Sequence, residues 1–412
     1  MSTPVRQQYL RLRAQYPDAI LLFRLGDFYE MFDTDAEVAA RELGLTLTGR
    51  QFAKGARSPM AGVPCHHADG HIARLVERGY KVAIADQIGD PRSSKGLVER
   101  RVVRVITPGT LRDPSLLESG RNNFLASVLL LDGAAGFAYA DISTGEFYLQ
   151  HVVADPIEPA LLRELTRVGP AECLWAQEAI QEVLQPPTEH LSDGVGLVGE
   201  PGDVMPPITL PGCVMTPLAQ EHFSVDGARK ALIEHLGLDS LAGKAYAQFS
   251  LSIGAAGALL AYLRHTQPAS LPILRHPVLY QSDSHMTLDT PTRRNLELTQ
   301  TMRGGAPSGS LLAVLDRTRT PMGSRLLRRW LNAPLVVLQP LLRRQDAVAT
   351  LTQSTSIRLK ITEALAGIGD IDRLVCRAQQ GSASPRELLA LARALDRLQG
   401  LATALGNPAA QL

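Results

Sequence analysis

The sequence predicts a multidomain protein in which two mixed α/β parts precede an all-α part. Its 412 residues exceed the length of one ordinary domain. Helix and strand patterns alternate at the start of the chain and again after a polar, turn-rich stretch, whereas the patterns from Asp289 onward are helical. We therefore predict domains at 1–115, 123–252 and 253–412, with a linker at 116–122.

The first part is predicted to begin with a helix that Thr3 caps and Pro4 opens, and that ends at Pro17-Asp18. "AILLFRLGDFYEMF" then predicts a strand, and Asp35–Leu43 predicts an amphipathic helix. "HIARLVERGYKVAIADQI" predicts a helix, a turn at Gly79 and a strand, and "RRVVRVITPG" predicts another strand. Alternation of this kind is typical of an α/β domain.

The middle part opens with "FLASVLLLDG" and "AGFAYADISTGEFYLQHV", which predict two strands joined by a hairpin turn at Asp132–Ala135. A helix is predicted in "DPIEPALLRELTRVG", and the Pro- and Gly-rich "LVGEPGDVMPPITLPGCVMTP" predicts a loop. Helices are then predicted in "SVDGARKALIEHLGL", "GAAGALLAYLRHTQ", "GSLLAVLDRT", "GSRLLRRWLNAPL" and "SPRELLALARALDRLQGLATAL".

The formal net charge of +1 hides an uneven distribution. Residues 1–122 hold 18 Lys and Arg against 14 Asp and Glu, residues 123–282 hold 7 against 17, and residues 283–412 hold 17 against 10. The excess of basic residues in the first and last of these ranges favours contact with a polyanion. Ordinary solvent-facing surfaces would explain the same counts of charged residues. The four cysteines are scattered and no apolar leader or membrane span is present, so we expect a soluble, cytoplasmic protein.

Nucleotide and metal chemistry have weak sequence signals. There is no GxxxxGK[ST] phosphate loop and no GxGxxG after a strand, so we predict no ATP site and no enzyme activity in this chain. Cys65, His66, His67 and His71 lie close together in the sequence and could hold a metal ion. No second ligand cluster lies elsewhere, so a capped helix start with solvent-facing histidines explains them better, and we predict no metal site.

Two acids leave a nuclease open as an alternative. Asp141 ends a predicted strand and Glu146 follows a turn, as acids that hold Mg²⁺ do on the strands of some nucleases. Two acids in a hairpin are common, however, and no third acid lies at a convincing spacing. The leading interpretation therefore assigns no catalytic residue.

Basic residues in three places favour contact with nucleic-acid phosphates, which is salt-dependent and blind to sequence. They are Arg50, Lys54 and Arg57 in a loop of small residues, Arg100, Arg101 and Arg104 around the last strand of the first part, and Arg325, Arg328 and Arg329 on a helix of the third part. For any single arginine, an ordinary surface role is the alternative.

The stretch "LFRLGDFYEMF" puts an aromatic ring and an acid beside a glycine. In a single strand, one face would hold Arg24, Gly26, Phe28 and Glu30, and the other would hold Phe23, Leu25, Tyr29 and Met31. Phe28 is then either a core residue beside a solvent-facing Glu30, or a wedge that stacks on a base while Glu30 accepts a hydrogen bond from the base edge. A ring buried in the core, with Glu30 in an internal ion pair, would exclude the wedge.

Several stretches together carry a family resemblance. "GDFYEMF", "SPMAGVPCHHADGHIARLVERGYKVAIADQIGDP", "VERRVVRVITPGT", "YADISTGEF", "DTPTRRNLELTQ" and "RTRTPMGSRLLRRWLNAPL" occur in this order over nearly the whole chain. They resemble the MutS family of bacterial DNA mismatch repair proteins, in which a Phe-x-Glu motif contacts the mispair. Cys65 departs from the family pattern, which commonly has an aromatic residue at that turn.

The resemblance implies a mismatch-binding domain at 1–115, a ribonuclease-H-like connector at 123–252 and an incomplete helical core and lever region at 253–412. It implies that Phe28 stacks at the mispair in kinked duplex DNA and that Glu30 hydrogen-bonds the mispaired base. It also gives further candidate DNA contacts, which are Leu25, Gly26, Arg50, Arg57 and Arg104.

Family members continue into a clamp and an ATPase domain, whereas this chain stops at "GNPAAQL", so we expect a fragment. ATP, Mg²⁺, sliding-clamp formation and a homodimer are implied for the full-length protein only. The implied partners are duplex DNA with mispairs or small loops and MutL, at the bacterial nucleoid. Two alternatives stand beside this interpretation: a ribonuclease-H-like nuclease that uses Asp141 and Glu146, and a truncated chain that binds proteins but not DNA.

Overall fold

Two six-stranded mixed β-sheets, one in each of two units, organise the chain. The computed structural model describes residues 3–53, 56–88, 98–131, 133–177, 206 and 208–405. The first unit comprises Met1–Leu111 with Tyr262–Pro268, and the second comprises Arg112–Ala261 with Ala269–Leu412. The two sheets and the many helices confirm the predicted mixture of α/β and helical structure. The ribonuclease-H-like fold of the middle part stays a prediction.

The first unit packs helices against both faces of its sheet. In chain order its elements are α1 (Pro4–Gln15), β1 (Ala19–Leu25), β2 (Phe28–Phe32), α2 (Asp33–Leu43), β3 (Thr48–Ala53), β4 (Ala56–Pro64), α3 (Ala68–Glu77), β5 (Lys81–Gln87) and β6 (Arg100–Ile106). The strand order is β3-β4-β2-β1-β5-β6, and among the described strands of this sheet only β1 and β5 pair in parallel. Ile72 of α3 packs with Leu22 and Met31 on one face, and Tyr9 of α1 packs with Phe23 on the other.

The first two helices show which local signals hold. Pro4 opens α1, as predicted, because a missing amide hydrogen costs nothing in the first turn. Thr3 precedes α1, but its side chain makes no capping hydrogen bond, so the predicted cap is wrong. Gly44 ends α2 with a φ of 69°, a left-handed conformation that glycine adopts without a Cβ penalty.

From residue 112 onward, three antiparallel strands begin a second sheet, and helices follow. The elements are β7 (Leu125–Leu131), β8 (Ala134–Asp141), β9 (Glu146–Val153), α4 (Ile157–Val168), β10 (Glu172–Ala176), β11 (Val214–Leu218), α5 (Val225–Leu236), α6 (Ser250–Thr266), β12 (Val278–Leu279), α7 (Thr290–Asn295), α8 (Leu311–Leu315), α9 (Pro321–Asn332), α10 (Leu338–Gln353), α11 (Thr355–Leu365), α12 (Ile371–Gln379) and α13 (Pro385–Leu405). The strand order is β11-β10-β7-β8-β9-β12.

Two predictions for the middle part are wrong. The predicted second strand is two strands, β8 and β9, because the Asp141 carboxylate accepts hydrogen bonds from the amide and hydroxyl groups of Ser143 at 2.9 and 2.6 Å. The prediction that Asp141 ends a strand and that Glu146 follows a turn is confirmed. Gly145, with a φ of 74°, completes that turn. The predicted loop "LVGEPGDVMPPITLPGCVMTP" ends in strand β11, and its residues 197–205 and 207 lie outside the described residues.

Candidate nucleic-acid interface

The predicted strand around Phe28 is a tight hairpin. β1 ends at Leu25 and β2 begins at Phe28, so only Gly26 and Asp27 form the turn. Gly26 has a φ of 62°, and no heavy atom lies within 4 Å of the position that a Cβ would take. Glycine is therefore favoured there by backbone conformation and not by crowding. The amide of Cys65 donates to the carbonyl of Asp27 at 2.8 Å and ties the turn to the end of β4.

This turn overturns the predicted distribution of side chains over the two faces. Leu25 pairs with Phe28 and Phe23 pairs with Glu30 across the hairpin, and paired residues of antiparallel strands point to the same side. Phe28 and Glu30 therefore share a face with Phe23 and Leu25, not with Arg24. The prediction of one continuous strand is wrong because the two turn residues shift the alternation.

Phe28 is the exposed phenylalanine of this sheet. Its side chain is 47% exposed, whereas Phe23, Phe32 and Phe52 on the same face are at most 9% exposed. Full burial of such a side chain stabilises a fold by roughly 1.5–3 kcal/mol, so half exposure forgoes on the order of 1 kcal/mol. The interpretation of Phe28 as a core residue is wrong. The ring lies at the end of the hairpin and is open to a ligand.

Glu30 lies beside the ring and is ion-paired. Its Oε2 accepts a hydrogen bond from Nη1 of Arg50 on β3, and 16% of the Glu30 side chain and 40% of the Arg50 side chain are exposed. The guanidinium carbon of Arg50 also lies 5.7 Å from the ring centroid of Phe52. One of the two conditions that would exclude the wedge is thus met, but the pair lies at the surface and the ring is exposed.

Gly62 on β4 lies between the two side chains, a role that no sequence pattern indicated. A Cβ at residue 62 would lie 3.6 Å from Cγ of Glu30 and 4.0 Å from Cδ1 of Phe28. Because β4 pairs Pro64 with Phe28 and Gly62 with Glu30, any larger side chain at 62 would fill the space beside the ring. Only the strand pairing reveals this, since Gly62 lies more than thirty positions along the chain from Phe28.

An aromatic cluster fixes the hairpin beneath the exposed ring. Phe32 packs edge-on against Tyr9 and Phe52, with centroid distances of 4.9 and 5.0 Å. The Tyr9 hydroxyl donates to Asp35 at 3.2 Å, and burial together with the Asp35 charge raises the pKa of Tyr9. Asp35 also accepts from the Leu21 amide at 3.1 Å, and burial raises the pKa of its carboxyl group. The base of the site is therefore rigid.

The other candidate arginines of the first unit lie elsewhere. Arg57 lies on the opposite face from Phe28, where its Nε donates to the Gly49 carbonyl at 2.9 Å. Arg104 on β6 pairs with Ile84, also on the opposite face and three strands from β2. Both stay predictions as DNA contacts, but neither joins the Phe28 site. Lys54 lies outside the described residues.

Arg100 has an internal role instead of the predicted contact with phosphates. It is 6% exposed, and its Nε donates to the carbonyl of Arg24 at 2.6 Å. Its guanidinium carbon lies 5.0 Å from the Phe23 ring centroid. Arg101 remains at the surface and pairs with Glu99 at 2.8 Å.

In the second unit, two of the three arginines on α9 that were predicted to contact phosphates bond to groups of the protein itself. Arg325 is 3% exposed and pairs with Asp370 through both terminal nitrogens, at 2.6 and 2.8 Å. Arg329 pairs with Glu146 at 2.7 Å and donates to the Tyr148 hydroxyl at 2.7 Å. The buried Arg325 guanidinium is not free to neutralise a DNA phosphate, whereas the Arg329 side chain is 40% exposed and its DNA contact stays a prediction.

The two acids of the nuclease alternative are also engaged. Asp141 is fully buried and accepts from Asn122 Nδ2, the Asn123 amide and Ser143. Glu146 accepts from the same Asn122 side chain at 2.8 Å. Such bonds explain both acids as supports of the turn and of α9. Within the described residues, no group of three His, Cys, Asp or Glu side chains could hold a metal ion, and this includes the stretch around Cys65.

Helices that could cross a membrane are likewise absent from the described part of the chain.

Comparison with known proteins gives consistent matches along the chain. Residues 3–115 match the family model of MutS domain I, residues 123–275 match MutS domain II, and residues 291–412 match MutS domain III. The chain is 42% identical over 411 residues to DNA mismatch repair protein MutS of Symbiobacterium thermophilum, covering 100% of this chain and 45% of that protein. It is 44% identical over 428 residues to DNA mismatch repair protein MutS of a Synechococcus strain, covering 98% of this chain and 47% of that protein. The chain thus spans slightly less than half the length of these curated relatives.

Proposed function

The chain belongs to the MutS family of DNA mismatch repair proteins, and from this premise we propose that its first unit recognises mispaired duplex DNA through Phe28 and Glu30. The half-exposed ring of Phe28 carries the proposal, because the other described phenylalanines of the same sheet are buried. A ring held on a tight hairpin, above a rigid aromatic cluster, has the placement that a wedge needs.

The wedge separates mispaired from paired DNA by the cost of deformation. Inserting an apolar side chain between base pairs unstacks a step and kinks the duplex, which costs roughly a few kcal/mol. A mispaired step has already lost part of its pairing, so the same deformation costs less there. Discrimination then comes from the DNA, and Phe28 needs no base-specific hydrogen bond of its own.

Glu30 supplies the second part of the proposed test. A carboxylate near DNA phosphates is repelled, so it adds affinity only where it accepts a hydrogen bond from a displaced base edge. In the free protein its Oε2 is held by Arg50. We propose that DNA phosphates compete for Arg50, so that Glu30 becomes available to the base as the duplex binds.

Further activities are proposed only for the full-length protein. We propose that it binds ATP with Mg²⁺, forms a homodimer that encircles DNA, and engages MutL through the acidic middle part. This chain contains no phosphate-loop motif for the nucleotide. We therefore expect mismatch binding without ATP hydrolysis from the 412 residues alone.

A nuclease is not favoured, because Asp141 and Glu146 are held by structural hydrogen bonds. A chain that binds proteins but not DNA is the remaining alternative, and a DNA titration separates the two. The 412-residue chain would be titrated against fluorescein-labelled duplexes that differ only in a single mispair, with anisotropy as the signal. We expect the mispaired duplex to bind about tenfold more tightly, which corresponds to a deformation difference of roughly 1.4 kcal/mol.

The matched control uses two exposed apolar residues of the first unit. Phe28 is 47% exposed and Leu47 is 48% exposed, so truncation of either removes a similar apolar surface. Phe28→Ala should abolish the preference and leave weak binding to both duplexes, while Leu47→Ala should keep the preference. Equal affinity of the unmutated chain for both duplexes, or an equal loss in both variants, would contradict the proposal.

A further inference from the structure

A cavity of about 500 Å³ in the second unit is lined by seven arginines and, among the described residues, by no aspartate or glutamate. It lies among β8, β9, α4, α7 and α9 of the second unit, whereas the hairpin that carries Phe28 belongs to the first unit. Its volume is within the range of small-molecule sites, which is about 300–1,000 Å³. The question is how so many like charges are balanced.

Three of the seven arginines have carboxylate partners behind the cavity wall. Arg167 pairs with Glu164 at 2.7 Å, Arg329 pairs with Glu146 at 2.7 Å, and Arg325 pairs with Asp370. Bonds of this kind neutralise a guanidinium and fix its position. These three arginines are explained by the fold.

The other four, Arg121, Arg293, Arg294 and Arg328, form no ion pair with a carboxylate anywhere in the described chain. Arg293 donates only to neutral oxygens, the Leu288 carbonyl at 3.1 Å and Asn332 Oδ1 at 3.3 Å. Nε of Arg328 is buried and has no acceptor within the described structure. A buried donor without an acceptor destabilises the fold, because it has lost its hydrogen bonds to water. The cavity therefore keeps positive charge that the described protein does not balance.

Electrostatic effects within the wall agree with this geometry. Burial, followed by the nearby charge of Arg121, lowers the pKa of Arg328, although Glu118 and Asp316 act in the opposite direction. The Asp316 carboxylate is itself occupied by the hydroxyls of Ser324 at 2.5 Å and Thr318 at 2.6 Å. Burial, followed by Arg167, likewise lowers the pKa of Arg293, although Glu164 and Tyr280 act in the opposite direction. An anion in the cavity would relieve both repulsions.

The aromatic rings in the wall leave little room for a stacked base. The guanidinium carbon of Arg167 lies 3.8 Å from the Tyr280 ring centroid, and His285 stacks on Tyr280 at 5.0 Å. Tyr139 and Tyr148 stack on each other at 5.0 Å. The cavity thus offers guanidinium donors rather than ring faces, and a phosphate chain concentrates several charges in a small volume that suits such donors. An acidic peptide would spread the same charges over several residues.

We propose that this cavity binds a polyphosphate group, either free or as the triphosphate of a nucleotide, through Arg121, Arg293, Arg294 and Arg328. The site is separate from the proposed DNA contact at Phe28. Its occupancy does not depend on the proposed function.

The test is calorimetric titration of the 412-residue chain with sodium tripolyphosphate and, separately, with ATP, in the absence of DNA. We expect one binding site for each ligand. Equal affinities would identify the phosphate chain as the recognised group, and tighter binding of ATP would add a nucleoside contact. Arg121→Gln and Arg328→Gln should each weaken binding by about tenfold or more, since a hydrogen bond to a charged group contributes about 1.5–3 kcal/mol.

Arg386→Gln is the matched control, because it removes the same charge from an exposed position on α13. It should leave the affinity unchanged. A thermal melt without ligand excludes misfolding as the cause, since Arg328→Gln removes an unpartnered buried charge and should not lower the melting temperature. No binding of either ligand, the same loss in Arg386→Gln, or displacement of tripolyphosphate by an equimolar hexaglutamate peptide would overturn the proposal.

Discussion

Two arginine–carboxylate pairs, one in each unit, show how position changes the role of the same chemistry. Arg50 and Glu30 lie at the sheet surface beside an exposed ring, and the arginine side chain is 40% exposed. Arg325 and Asp370 lie inside the second unit, where the arginine side chain is 3% exposed. We proposed above that the first pair exchanges its partners for DNA, whereas the second could not do so without damage to the fold. Burial, and not residue type, decides whether an arginine is available to a phosphate.

The largest expected loss of stability follows when the buried pair is broken. Asp370→Asn keeps the shape of the side chain but leaves the Arg325 charge without its main partner, and loss of one member of a buried pair costs roughly 3–5 kcal/mol. Asp372, 3.3 Å from Arg325, compensates only in part. Urea unfolding followed by tryptophan fluorescence measures this directly, because Trp175 and Trp330 both lie in the second unit.

The surface pair provides the contrast. Glu30→Gln should change the free energy of unfolding by about 1 kcal/mol or less, because water can solvate the Arg50 guanidinium, whose side chain is 40% exposed, once the Glu30 charge is lost. Its effect would be followed by calorimetric melting, since the first unit has no tryptophan. If Asp370→Asn and Glu30→Gln destabilise their units equally, burial is not what separates the two pairs.

The sequence predicted the elements better than it predicted these roles. Helix periodicity located α3, α4 and α9, because each buries one face of a helix against a sheet or another helix. The hairpin at Gly26-Asp27 was missed because two turn residues inside an apolar run look like a continuing strand. Because of that error, Leu25 and Phe28 were predicted on opposite faces of the sheet, whereas they lie on the same face.

The predictions for the arginines failed for a different reason. Arg100 and Arg325 looked like surface cations but are buried. Their acceptors lie 76 and 45 positions away along the chain. Sequence patterns do not reveal hydrogen-bond acceptors that lie so far away along the chain. The residues Phe28 and Glu30 came from a motif resemblance, whereas Gly62 and the Arg50–Glu30 pair required the strand pairing.

A smaller effect is expected when the surface arginine Arg50 is replaced and DNA binding is measured. Arg50→Gln should weaken binding to matched and mispaired duplexes by a similar factor and should reduce the slope of log affinity against log salt by about 1, because one phosphate contact is lost. Arg41→Gln removes the same charge from an exposed position on α2, where Arg41 pairs with Glu42, and serves as the control. A selective loss for the mispaired duplex alone would show that Arg50 does not act through phosphates.

The most direct test of the account is whether the Phe28 ring enters the duplex. A 2-aminopurine placed next to the mispair becomes brighter when its stacking is lost, so its fluorescence can be recorded during titration with saturating protein. We expect a clear increase in fluorescence with the unmutated chain and with Leu47→Ala. We expect no increase with Phe28→Ala at concentrations that saturate binding. An equal increase with Phe28→Ala, or no increase with the unmutated chain once bound, would contradict the account.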